Sequence, residues 1–213
     1  MSVENRRPIQ ARSLGIMRTL ATMLARSNIT PNQISCASVV MALIVPAALF
    51  WQGITWAGCL LAVLGIQLRL VCNLIDGMVA VEGGKRSVLG DIYNEFPDRI
   101  ADTIIILGFA YFVAQDGELG WAAAFFAVLT AYTRNLGAAL GTKHYYVGPM
   151  AKQHRMALLS IVLLYIPLAE QLGRPSIELA KSILWVISVS AILTTGRRLV
   201  LIARELKARN PIK

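Results

Sequence analysis

From Ser27 to Leu68 the chain carries no charged side chain, a run of 42 residues. Soluble domains keep about a quarter of their residues charged, and this chain of 213 residues keeps 15%. A helix crosses the hydrocarbon of a bilayer with about 20 mostly apolar residues, so the run is long enough for two crossings. Shorter uncharged stretches follow at Thr103–Gln115, Leu119–Thr133, Met156–Ala169 and Ser182–Gly196. Gly, Pro and charged residues divide the chain into six predicted transmembrane helices, near Pro31–Trp51, Thr55–Val81, Val88–Ala114, Leu119–Gly141, Gln153–Leu172 and Ile177–Ile202. Ahead of them, Pro8–Arg26 mixes Ile9, Leu14, Met17, Leu20, Met23 and Leu24 with Arg12, Arg18 and Arg26. That pattern suits an amphipathic helix lying in the interface, although a solvent-exposed leader helix has the same composition. The expected fold is all-α and integral to the membrane, one domain over 1–213. It comprises an interfacial helix over 8–26, a six-helix bundle over 31–202 and a basic cytoplasmic tail over 203–213.

The positive charge supplies orientation. With the N-terminus inside, 16 Lys and Arg fall in cytoplasmic connections and two, Arg174 and Lys181, fall outside. The positive-inside rule then places both termini in the cytoplasm. Trp51, Trp56, Trp121 and Trp185 sit near predicted outer ends, as an aromatic belt requires. The net charge of +9 is thereby a topology signal with attraction to anionic membrane lipids, and no nucleic-acid partner is expected. The first thirty residues lack the apolar core of a cleavable signal peptide. Cys36, Cys59 and Cys72 lie in apolar helices and do not read as a disulfide framework.

The acids are uneven. Six of the twelve Asp and Glu lie between Asp76 and Asp102. Asn73, Asp76, Gly77 and Ala80 share one face of the second predicted helix at i, i+3, i+4 and i+7. Gly90, Asn94 and Asp98 share a face of the third. Folding these helices antiparallel about Lys85 sets Asn73 against Asp98 and Asp76 against Asn94. Four oxygen-bearing side chains then meet just inside the cytoplasmic interface, where ionisable groups are costly and point to function. Hard oxygen ligands of this kind suit Mg2+ or Mn2+ held together with phosphate. Gly77 and Gly90 leave room for a bulky group. Asp91, Glu95 and Arg99, at i, i+4 and i+8, have an alternative as an internal charge ladder, and Arg69 is spaced to pair with the same acids.

At these residues the chain resembles the CDP-alcohol phosphatidyltransferase family, whose pattern is D-x2-D-G-x2-A-R-x8-G-x3-D-x3-D. Here it reads Asn73-x2-Asp76-Gly77-x2-Ala80-Val81-x8-Gly90-x3-Asn94-x3-Asp98, with every spacing kept over 26 residues. The resemblance implies metal binding by Asn73, Asp76, Asn94 and Asp98, with Asp98 also the general base. It implies that Gly77, Ala80 and Gly90 line the cytidine diphosphate of a lipid donor. Three positions depart from the pattern: the first and third acids are Asn, and the Arg is Val81. Lys85 and Arg86 are candidates for the missing contact to diphosphate, or belong to a solvated basic loop. Glu82, Asp91, Glu95 and Asp102 are candidates to restore the lost negative charge.

Arg134 interrupts the fourth predicted helix, and Lys152, His154 and Arg155 open the fifth. They form a candidate cradle for an anionic group on the acceptor, while Lys152 and Arg155 also have a reading as snorkelling topology residues. The expected activity is transfer of a phosphatidyl group from a CDP-linked lipid such as CDP-diacylglycerol to an alcohol, releasing CMP. The expected setting is a bacterial inner membrane with a cytoplasmic active site, and the resemblance implies a homodimer. The alternatives are a catalytically silent membrane binding or scaffolding protein and, less well matched by the apolar outer helix halves, a solute transporter.

Overall fold

The structure, a computed structural model, describes residues 15–85 and 87–209, the side chain of Glu82 excepted. Arg86 and the start of the predicted interfacial segment therefore lie outside the described residues. These fold into α1 (Gly15–Arg26), α2 (Pro31–Gln52), α3 (Trp56–Glu82), α4 (Gly90–Phe109), α5 (Gly117–Ala139), α6 (Lys152–Gln171) and α7 (Ser176–Arg209), with a π-helical turn at Ala110–Ala114. No strand occurs among the described residues. By length and composition, α2, Trp56–Val81 of α3 and α7 are long and apolar enough to cross a membrane. α4 falls short because Asp91, Glu95, Asp98, Arg99 and Asp102 crowd its first turns, and α6 because it opens on Lys152, His154 and Arg155.

Local chemistry sets the helix starts. Thr30 caps α2 through a reciprocal box, in which Gln33 N–H donates to Thr30 Oγ1 at 3.3 Å and Thr30 N–H to Gln33 Oε1 at 2.9 Å. Pro31 occupies the first turn, where its missing N–H costs nothing. Thr55 accepts from Gly58 N–H to start α3, and Asp116 accepts from Leu119 N–H to start α5. The stop of α7 departs from expectation, since the helix runs to Arg209 instead of ending near Ile202. The expected end near Ile202 marks where basic residues end the membrane-compatible stretch. Charge does not end a helix: Glu205 and Arg209 pair at i, i+4, and cations suit a helix C-terminus.

The described residues pack as two compact units, divided between Ile105 and Ile106 within α4. In the first, Ala21 of α1 is buried against a cluster made by Ile34, Leu74, Ile75, Met78 and Val79, with Met17, Leu24 and Ala25 packed alongside. α1 thus presents an apolar face to the protein, while Ile16 and Met23 remain exposed on its other side. Gly65 lets α3 close on α2: a Cβ there would stand 3.0 Å from Ile44 Cβ and 3.1 Å from the Met41 carbonyl. In the second unit, Leu159, Leu163, Ile166, Leu184, Ile187 and Ala191 are fully buried. Its buried Thr130, Ser188 and Thr194 hydroxyls donate to carbonyls three or four residues earlier at 2.7–2.8 Å.

Candidate active site

The face of α3 that carries Arg69, Asn73 and Asp76 meets the face of α4 that carries Asp98 and Asp102. Asn73 Nδ2 donates to Asp98 Oδ1 at 2.8 Å, and Arg69 Nη2 donates to Asp102 Oδ1 at 2.7 Å. The two bonds join residues with the same index sum, the signature of an antiparallel pair in fixed register. The spacing argument placed Asn73 against Asp98 in that register. Arg69 Nη2 also donates to Asp98 Oδ1 at 3.0 Å and to the Asp98 carbonyl at 3.2 Å. Asp98 Oδ2 faces the Arg99 guanidinium at 3.4 Å. Pro97 sits inside α4 beside these groups, which leaves the Tyr93 carbonyl without its usual helical donor.

Asp76 is held from another direction. Its Oδ2 accepts from Ser35 Oγ of α2 at 2.5 Å, and its Oδ1 accepts from Gly77 N–H. Asp76, Asp98 and Asp102 are 3%, 7% and 3% exposed, and Arg69 is 0% exposed. A buried carboxylate is tolerated when donors reach it: Asp76 and Asp98 accept from two or more directions, and Asp102 accepts from Arg69 Nη2. Nothing in the sequence links Ser35 to Asp76, 41 residues apart. Ser35 was missed for that reason.

The auxiliary acids separate. Asp102 is bound to Arg69, and Glu95 Oε2 pairs with Arg99 Nη1 at 3.6 Å, as the charge-ladder alternative had it. Asp91 stands exposed in the first turn of α4, where an anion suits the helix N-terminus. Lys85 Nζ donates to the main-chain carbonyls of Ser27 and Ile29, tying the α1–α2 connection to the end of α3. A Cβ added at Gly90 would meet nothing within 4 Å, so the start of α4 has open space beside it. Asn94 and Ala80 are half-buried.

No group of three or more His, Cys, Asp and Glu converges to hold a metal ion among the described residues. Of the residues expected to ligate a metal, Asp98 Oδ1 accepts from Asn73 and Arg69, and both carboxylate oxygens of Asp76 accept hydrogen bonds.

In the second unit, three arginines gather at the loop between α5 and α6. Arg198 of α7, 6% exposed, donates from Nη1 to the Thr130 carbonyl and from Nε to the Val147 carbonyl at 3.1 Å. Arg155, 3% exposed, donates to the Met150 carbonyl at 3.4 Å. Burial removes the snorkelling reading for Arg155. His154 Nδ1 lies 3.1 Å from the Pro149 carbonyl. Arg134 lies over the Tyr146 ring at 5.5 Å, and that ring stacks on His144. Lys152 is the first residue of α6. The sequence does not single out Arg198, which lies within the predicted Ile177–Ile202 helix; its burial brings it to this group.

No protein-family model matches the chain. The inner membrane protein YnbA of Escherichia coli (strain K12) is 25% identical over 146 residues, 68% of this chain and 72% of that protein. The phosphatidylinositol phosphate synthase of Streptomyces avermitilis is 24% identical over 197 residues, 89% of this chain and 79% of that enzyme. Among solved structures, Mycobacterium tuberculosis phosphatidylinositol phosphate synthase (PgsA1) with CDP-DAG bound matches with a TM-score of 0.69. The identity is 17%, over 89% of this chain and 94% of that one. The same enzyme in complex with manganese and citrate matches with a TM-score of 0.64 at 18% identity, over 87% of this chain and 88% of that one. The chain has the helical fold of PgsA1, and its homologues include enzymes named phosphatidylinositol phosphate synthase and an inner membrane protein.

Proposed function

We propose that this protein is a membrane-embedded CDP-alcohol phosphatidyltransferase. The observation that carries the reading is the α3–α4 register, which brings Asn73 and Asp98 into contact and buries Asp76 and Asp98 on elements that fix them. The relatives named phosphatidylinositol phosphate synthase and the CDP-DAG bound by PgsA1 support it. The donor is a CDP-linked lipid such as CDP-diacylglycerol, and the acceptor an alcohol. The new bond joins the acceptor oxygen to the lipid-side phosphorus, the bond to the CMP oxygen breaks, and the hydroxyl proton passes to Asp98. Asn73, Asp76, Asn94 and Asp98 would hold a divalent cation, Mg2+ or Mn2+, which would supply charge neutralisation for the diphosphate and the departing CMP. Asn73 and Arg69 keep the Asp98 carboxylate in one orientation, and orientation supplies much of the rate in phosphoryl transfer. Gly77, Ala80 and Gly90 leave space for the cytidine diphosphate, and Arg86 is its candidate cationic contact.

The proposed topology is six crossings by α2–α7, with α1 at the interface and both termini and the acid site cytoplasmic. The 16-to-two split of Lys and Arg supports it. Arg134, Lys152, Arg155 and Arg198 receive an anionic group on the acceptor, which favours a phosphorylated alcohol, and the active form is a homodimer. CMP release from CDP-diacylglycerol by purified protein, with Mg2+ or Mn2+ and a panel of alcohols, tests the function. Absence of CMP under every combination overturns it and favours a silent membrane protein, a reading that the hydrogen-bond donors already on Asp98 also suit.

A further inference from the structure

α1 has two unlike sides. On one, buried Ala21 packs, with Met17, Leu24 and Ala25 alongside, on a cluster that includes Leu74, Ile75, Met78 and Val79 of α3. Those four residues flank Asp76 in the chain. The end of α1 stays on the same helix. A Cβ added at Gly83 would stand 2.9 Å from Ala25 Cβ, and Lys85 Nζ donates to the carbonyls of Ser27 and Ile29 just beyond α1. α1 is therefore fastened along the stretch of α3 that carries Asp76.

The other side is open. Ile16 and Met23 are 72% and 67% exposed, and Leu20, Arg18 and Arg26 are exposed with them. Ile16, Leu20 and Met23, at i, i+4 and i+7, form one strip, and Arg18 and Arg26, at i and i+8, form the strip beside it. Between the arginines, Thr22 donates its hydroxyl to the Arg18 carbonyl at 2.8 Å, within the same helix. Gly15–Arg26 contains no acid. An apolar strip with a cationic strip beside it matches the boundary between acyl chains and anionic headgroups. A protein partner fits this face less well. Its 12 residues rise about 18 Å and, at a helix width of about 10 Å, offer about 180 Å2, against about 800 Å2 per partner in a stable interface.

We propose that the open side of α1 docks on an anionic lipid surface, and that docking braces the part of α3 that carries Asp76. Ile16, Leu20 and Met23 enter the acyl boundary, and Arg18 and Arg26 meet the headgroup phosphates. A docked α1 cannot lift from Leu74, Ile75, Met78 and Val79 without drawing its apolar strip back into water. The consequence for turnover rests on the phosphatidyltransferase reading. Docking and bracing do not, because amide exchange reads both.

Hydrogen exchange of the purified full chain is compared between nanodiscs of phosphatidylcholine and nanodiscs containing about a third phosphatidic acid, an anionic lipid with no alcohol to act as acceptor. Amides of 15–26 and of 74–79 are expected to exchange about tenfold or more slowly in the anionic discs, and high salt is expected to shrink the difference. Equal exchange at 15–26 overturns the docking, and slowing at 15–26 without slowing at 74–79 overturns the bracing. Inorganic phosphate that slows α1 equally in phosphatidylcholine discs overturns the lipid surface in favour of a discrete anion site. Arg18→Gln with Arg26→Gln is expected to abolish the lipid dependence, and its persistence overturns the role of the arginines. CMP release is expected to rise about fivefold or more with phosphatidic acid in wild type and to stay level in the double variant; wild-type release indifferent to the lipid overturns the effect on turnover. Lipid-dependent exchange in protein that releases no CMP removes the enzyme reading and still supports the docking.

Discussion

The side-chain amide of Asn73 donates to Asp98 Oδ1 across the α3–α4 pair at 2.8 Å. An acid at position 73 would place two carboxylates on that contact and demand a cation between them. The amide instead makes the contact by itself. Asn73→Asp is expected to tighten Mn2+ binding by about tenfold and to lower the melting temperature measured without metal. Mn2+ titration and thermal unfolding with and without metal check both. Asn73→Ala should instead lose about 1 kcal/mol of stability, the worth of one hydrogen bond.

Asp98→Asn is expected to reduce CMP release by about a hundredfold or more, the usual scale for removing a general base. The amide still accepts from Arg69, which leaves the ion pair with Asp102 in place, so the melting temperature should change little. A variant with wild-type turnover would show that the base lies elsewhere.

Ser35→Ala removes the hydroxyl that donates to Asp76. With this donor lost, the buried carboxylate should bind a divalent cation more tightly and the cation-free protein should be less stable, by about 1–2 kcal/mol. Unfolding profiles with and without Mn2+ should therefore lie further apart than for wild type.

Arg198→Met leaves the carbonyls of Thr130 and Val147 without their guanidinium. If this group receives the acceptor, KM for a phosphorylated alcohol rises by about tenfold or more while KM for the donor stays put. Equal shifts in both would reduce Arg198 to a structural strut.

Gly148 adopts φ +127°, and a Cβ there would collide with Thr194, whose hydroxyl accepts from Met150 N–H. Gly148→Ala should cost about 2–4 kcal/mol through strain and displacement of this contact, read as a fall in melting temperature.

The sequence carries the helices well because their signals are local. Thr30-Pro31 and Gln33 start α2 where expected, and the Gly-rich connection after Glu82 ends α3. Period and spacing also place Asn73 against Asp98, which the hydrogen bond between them matches. What period cannot supply is the third element. Ser35 reaches Asp76 through the packing of α2 on α3, which depends on the close approach at Gly65. Arg69 was legible as a candidate partner of the acids, but its role at both Asp98 and Asp102 follows from burial. Arg198 is a buried arginine near the end of a long helix, and nothing local in the sequence separates it from its exposed neighbour Arg197.

α7 has 34 residues, a rod of about 51 Å at 1.5 Å per residue, against about 30 Å of hydrocarbon. The surplus bears Glu205, which accepts from the Tyr145 hydroxyl at 2.7 Å, and Arg209, which donates to the Gly141 carbonyl at 2.6 Å. The loop between α5 and α6 is therefore tied at two points to the last turns of α7. Fraying of the last turns of α7 would release Tyr145 and Gly141 together.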